Sequence, residues 1–174
     1  MRALSRETTG EDGPVNGKTR FGQSAQAGRI RRARAADAAA IVALEEHFPG
    51  DRLSPRSVRR FLNSPNARVW MAQLNGAPAG NLILLTRKNS RIARIYSVVV
   101  APAARGRGLA RRLVAVAEAQ ARRLGSDAVA LEVRADNRAA RALYAGLGYV
   151  EVARLPEYYE DGAAGLRLVK RLRR

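Results

Sequence analysis

Between residues 98 and 124 the chain passes from an apolar run, Val98-Val99-Val100-Ala101, through Pro102 into Arg105-Gly106-Arg107-Gly108, and then into a helical pattern. That transition limits the fold most. Leu109, Leu113, Val116, Ala117, Ala121 and Leu124 recur at the 3.6-residue period, and Gly125 follows where a helix needs a left-handed end. A buried strand therefore feeds a tight, glycine-containing turn and an amphipathic helix. Such a helix start presents unpaired N–H groups and the positive end of the dipole, both suited to phosphate. Gly106 and Gly108 allow close backbone approach, and Arg105, Arg107, Arg111 and Arg112 supply positive charge. The six residues alone are equally consistent with a plain strand-to-helix turn carrying solvated arginines. A Rossmann dinucleotide loop is disfavoured, because Leu109-Ala110-Arg111 stands where the third glycine belongs.

Around this segment the pattern predicts a mixed α/β sheet. A strand at 29–34 precedes Asp37, read as the cap of a helix over 38–44, and a second helical stretch covers 56–62 before Asn63-Ser64-Pro65. Strands at 68–74, 78–86 and 92–100, joined through Asn75-Gly76 and Lys88-Asn89-Ser90, predict an antiparallel meander. After the helix come a strand at 128–133, a helix at 138–145 closed by Gly146-Leu147-Gly148, and strands around 150–159 and 166–172. Residues 1–28 are polar and aperiodic and are expected to be a disordered leader, with one domain at 29–174. Trp70, Phe61 and the single histidine, His47, are assigned structural roles.

Composition narrows the chemistry. Zero cysteine excludes disulfides, thiolate metal ligands and an acyl-cysteine intermediate, and no metal site is expected. No apolar run reaches the ~20 residues of a membrane span, and no secretory signal is visible, so membrane association is not expected and a cytoplasmic location is. The net charge of +17 is nearly all arginine, with lysine only at 18, 88 and 170. Arginine favours forked contacts to phosphate, which raises nucleic acid, ribosomes or a phosphorylated cofactor as partners. Arginine and alanine enrichment is equally what a GC-rich genome produces.

These motifs, taken together, resemble the GCN5-related N-acetyltransferases, whose signature of Arg or Gln, two residues, Gly, one residue, then Gly or Ala is met by Arg105 to Ala110. Leu131-Glu132-Val133-Arg134-Ala135-Asp136-Asn137 and Ala142-Leu143-Tyr144-Ala145-Gly146-Leu147-Gly148-Tyr149 look like the family's second half. The likeness extends over roughly 29–172 and is nearest to the RimI-like branch of peptide and ribosomal-protein N-terminal acetyltransferases. It implies a mixed, mostly antiparallel sheet flanked by helices, with acetyl-CoA in a wedge between two splayed central strands. It further implies cofactor contacts from Val98, Val99, Val100, Arg105, Gly106, Arg107, Gly108, Leu109, Ala110, Arg111 and Asn137. Glu132 becomes the general base, Tyr144 the general acid, and Tyr158 with Tyr159 the lining of an acceptor groove. Asp161-Gly162-Ala163-Ala164-Gly165 departs from the RimI pattern and puts ribosomal-protein specificity in question.

Chemistry agrees with one base and one acid, since thioester aminolysis needs a neutral amine and leaves a thiolate that must be protonated. Glu132, at the C-terminal end of a central strand, fits the base, though a solvated carboxylate paired with Arg134 is the plainer reading. Tyr144 is equally explained as a helix residue buried on the sheet, and Asn137 as the cap of the following helix. An α-amine, with a pKa of about 7.7–8.0 against about 10.4 for lysine, is easier to deprotonate by ~3.5 kcal/mol. A protein or peptide N-terminus is therefore expected as acceptor, with a small-molecule amine or lysine as the alternative, in a monomer or dimer. A basic nucleic-acid- or ribosome-binding module and a non-catalytic acyl-CoA binder are the rivals from other classes.

Overall fold

A computed structural model describes residues 28–47 and 52–172. The expected leader lies outside the described residues, apart from Gly28. Seven strands and four helices follow in chain order: β1 (Arg29–Arg32), α1 (Ala38–Glu45), α2 (Pro55–Asn63), β2 (Ala67–Leu74), β3 (Ala77–Leu85), β4 (Ile92–Val100), α3 (Leu109–Arg123), β5 (Ala128–Arg134), α4 (Arg138–Ala145), β6 (Val150–Leu155) and β7 (Gly165–Arg171). They build one sheet in the order β1-β2-β3-β4-β5-β7-β6. Every pairing is antiparallel except β4 with β5, as the meander reading required. Among the described residues no helix is long and apolar enough to cross a membrane.

Period-two alternation divides the apolar side chains between two cores. Along β2, Val69 and Met71 pack with Ile41, Val58 and Phe61 of α1 and α2, while Trp70 and Ala72 pack on the other face with Leu113 and Val114 of α3. Trp70 and Phe61 are core residues, as the sequence suggests. On α3 the inward stripe is Leu109, Leu113, Val114, Ala117, Glu118 and Ala121; Leu124, assigned to it from the sequence, is exposed. Leu124 follows the last full helical turn, where the chain already bends toward Gly125 at φ 80°.

Two other boundaries differ from the sequence reading. Asp37 does not cap α1; it ends a short 3-10 turn, and its carboxylate accepts from the Arg34 N–H (2.7 Å) and from both terminal nitrogens of Arg31 (2.8 Å each). Strand β6 stops at Leu155, because Pro156 has no N–H for a ladder and Glu157 takes φ 47°. Tyr158 and Tyr159 consequently lie in the β6–β7 connection.

The feature that creates the site is a failure of pairing. Strands β4 and β5 are joined only at Ile92–Ala128, Ala93–Val129 and Arg94–Ala130; beyond Arg94 they diverge. From there β4 stays paired to β3 and β5 to β7, so the sheet opens into a V bounded by residues 95–100 and 131–134. A bulge accentuates it: Ile83 pairs with Ser97 and Leu84 with Ile95, leaving Tyr96 unmatched. The extra residue changes the phase of β4, so Ile95 reaches the α3-side core while Val99 reaches the α1/α2-side core. Gly80 lets β3 hold the far arm of the V tightly, because a Cβ there would stand 2.6 Å from the Val99 carbonyl oxygen.

Candidate functional site

A cleft of about 490 Å³ fills the V and passes through the sheet. Its lining on the α1/α2 face includes Glu45, His47, Leu53 and Tyr96, and on the α3/α4 face Arg105, Asn137, Ala140 and Tyr144. Ser97, Val98 and Val99 form one wall and Glu132, Val133 and Arg134 the other. Two reactants can thus approach one point from opposite faces.

At the α3 end the phosphate-suited geometry is present. Gly106 and Gly108 adopt φ 73° and 69°, conformations that L side chains rarely tolerate. The earliest backbone bond into α3 is from Arg112 N–H to Gly108 O (3.1 Å), and among the described residues the N–H groups from Gly106 to Arg111 have no backbone partner. Arg105, Arg107, Arg111 and Arg112 are exposed around them. Arg105 lines the cleft, whereas residues 106–111 follow it in the chain without lining it. Leu109 contributes packing, being buried in the α3-side core. Among the β4 residues expected at the cofactor, Val98 and Val99 line the cleft, and Val100 packs against the α3-side core. Asn137 caps α4, accepting from Ala140 N–H at 3.0 Å, and also lines the cleft.

Glu132 and Tyr144, brought together from β5 and α4, both line the cleft. The Glu132 side chain is only 7% exposed and is not paired with Arg134, the plainer reading of the sequence. Its Oε2 accepts from Arg94 Nε (2.7 Å) on β4, and its Oε1 accepts from Arg167 Nε (3.0 Å) on β7. Register explains this: Arg167 stands directly opposite Glu132, and Arg94 is the last β4 residue before the strands part. The ion triad pins the vertex of the V. A carboxylate has four acceptor sites, so one on each oxygen remains for a further donor. Arg134 instead bonds Asp136 (3.1 Å) and Asp161 (2.9 Å) and lies over the Tyr159 ring at 5.1 Å. Burial, aided by Tyr159, pushes the Tyr144 phenol above the usual range, so it stays protonated near neutrality.

The tyrosine pair divides. Tyr159 lines the cleft; Tyr158 packs over Gly165 and accepts from Arg94 Nη2 (3.1 Å) outside it. Several lining residues were not singled out from the sequence: Glu45, Tyr96 and Ser97, with His47, assigned to structure, also among them. A charged residue ending an apolar helix was the available signal for Glu45. Nothing in local pattern reveals the bulge that turns Tyr96 and Ser97 toward α1 and α2. Among the described residues no cluster of His, Asp and Glu could hold a metal ion.

Comparison with known proteins gives a consistent picture. The family model described as "Acetyltransferase (GNAT) family" matches residues 38–149. The N-alpha-acetyltransferase RimI of Mycobacterium tuberculosis is 34% identical over 140 residues, covering 78% of this chain and 87% of that protein. Two uncharacterised curated relatives, from Mycobacterium leprae and Escherichia coli, are matched over only 21% and 55% of their own length. By structure, the chain is similar to the ribosomal-protein-S18-alanine N-acetyltransferase of Escherichia coli, with TM-score 0.76, 23% identity, and 84% of this chain and 95% of that one covered. Arabidopsis thaliana NAA60 in complex with acetyl-CoA gives TM-score 0.74 at 17% identity, covering 83% and 98%. Likeness at those identities speaks for the fold.

Proposed function

Because this chain belongs to the acetyltransferase (GNAT) family, we propose that it moves the acetyl group of acetyl-CoA to a primary amine, with a protein or peptide N-terminal α-amine as the acceptor class. The observation that carries this reading is the through-sheet cleft between β4 and β5, which has unpaired amides and arginines at its α3 end and Glu132 and Tyr144 within. The amides from Gly106 to Arg111 and Arg105, Arg107 and Arg111 would hold the diphosphate, and Val98 to Val100 would run beside the pantetheine arm as though it were an added strand. Glu132 receives the proton of the attacking amine, and Tyr144 gives one to the departing thiolate. The RimI relative favours an α-amine over a lysine, as does the ~3.5 kcal/mol lower cost of deprotonation.

Incubation with acetyl-CoA and a panel of peptides with free N-termini, read by mass spectrometry, tests the class directly. N-terminal acetylation is expected; acetylation confined to lysine side chains would overturn the acceptor. Tyr144→Phe should slow turnover about 10²-fold with acetyl-CoA affinity retained, a purely structural Tyr144 being expected to change melting temperature instead.

A further inference from the structure

One carboxylate in the cleft has no part in the reaction as described. Glu45, the last residue of α1, is 3% exposed and lines the cleft. Removing a carboxylate from water is unfavourable, so its retention calls for a reason. Its Oε1 accepts from Ser97 Oγ (3.0 Å) and from Asn81 Nδ2 (3.1 Å). Asn81 is wholly buried, and among the described residues its own carbonyl oxygen has no hydrogen-bond partner. That amide is committed to Glu45 while half its bonding capacity goes unused, a cost that buries an asparagine in order to fix one carboxylate.

The fixed position is informative. Ser97 immediately follows the β4 bulge and precedes Val98, so Glu45 is anchored to the wall that lies opposite Glu132. It lines the cleft on the α1/α2 face, away from the phosphate-suited end, with His47, Leu53 and Tyr96 beside it. In a chain of net charge +17, a cationic amine is repelled at long range, and a carboxylate of low solvent exposure offers the opposite local field where the amine must arrive.

Resting on the acetyltransferase reading, we propose that Glu45 is the acceptor-binding residue of the cleft: it receives the substrate's primary amine as the ammonium ion and sets it before the thioester. No covalent step is involved. The ammonium loses its proton to Glu132, and the neutral amine attacks. The amide product carries no charge for Glu45 to hold, so the same contact that captures substrate lets product leave. Acceptors that are cationic at the amine and otherwise of low positive charge are the class selected.

The test compares wild type, Glu45→Gln and Glu45→Asp with two probes, the tetrapeptide amide Ala-Gly-Ser-Gly and hydroxylamine, which is neutral at pH 7. Coenzyme A release is followed with a thiol reagent, a clean signal because the chain has no cysteine. Glu45→Gln keeps an oxygen for Ser97 and Asn81 and should raise KM for the peptide at least about tenfold, the order expected for a lost charge-assisted contact. KM for hydroxylamine and the thermal shift with coenzyme A should stay unchanged, and Glu45→Asp should recover part of the peptide KM. A peptide KM unaltered in Glu45→Gln, beside an active wild type, overturns the role of Glu45 alone. Equal losses with both probes, or loss of coenzyme A binding, would show a structural residue and overturn it too. No release by wild type with either probe brings down the acetyltransfer reading and this inference together.

Discussion

The two walls of the cleft are made differently. The β4 wall is held by packing: β3 runs alongside it, Gly80 allows backbone contact at Val99, and apolar cores press on both faces. The β5 wall is held by charge, with Glu132 between Arg94 and Arg167, and Arg134 between Asp136 and Asp161. Close packing gives a surface that does not shift, which suits a long cofactor arm. Ion pairs give groups that can accept or release protons without repacking the core. Under the proposed reaction, the contrast would leave shape to one wall and proton transfer to the other.

If that division holds, the largest effect belongs to Glu132→Gln, which should lower kcat/KM by about 10²–10⁴, or ~3–5 kcal/mol of transition-state stabilisation. Coenzyme A binding measured by calorimetry should change little, and a comparable loss in binding would erase the contrast. Next, Gly80→Val should cost about 3 kcal/mol of stability by forcing apart β3 and β4, near 6–12 °C in melting temperature for a chain of this size. Urea unfolding checks it; a stable variant with full activity would mean that the packed wall is not tight. Gly108→Glu comes third. It places an unfavourable φ and a negative charge where the diphosphate should sit, and it should abolish a thermal shift that saturating coenzyme A otherwise raises by up to ~3 kcal/mol.

The smallest effect concerns Arg134. Its bond to Asp136, and the Ala163 N–H and Arg134 bonds to Asp161, lower both carboxyl pKa values below the ordinary range. A depressed folded pKa stabilises above the unfolded value and is lost as pH falls through the folded one. The melting temperature of Arg134→Ala should therefore sit slightly below wild type at pH 7, with the gap closing below about pH 4, and 1 M salt should narrow it as well. A gap that persists at pH 2 would assign Arg134 to packing against Tyr159.

How far the sequence could be read follows from the range of the forces involved. Strand alternation, the α3 start and the Asn137 cap are local, and they stand as the residues suggested. Glu132 and Tyr144 were found through motif spacing, and one cleft holds both. What escaped was non-local. Register alone decides that Glu132 faces Arg167 and Arg94, with Arg134 turned away toward Asp161. Glu45 meets Ser97 through a bulge four segments later, which no local pattern announces. Leu124 fitted the helical period and still lies in solvent, since periodicity does not mark where a helix stops packing.

The additional residue at Tyr96 also bears on how this gene can change. Deleting Tyr96 would let Ile95 and Ser97 follow one another in a regular ladder against Leu84 and Ile83, with Val98 and Val99 kept on their present faces, whereas inserting a further residue there without a second bulge would turn both over. Homologues aligned across this stretch should therefore accept a one-residue gap at 96, where the strand returns to regular pairing, more readily than an insertion between 97 and 99.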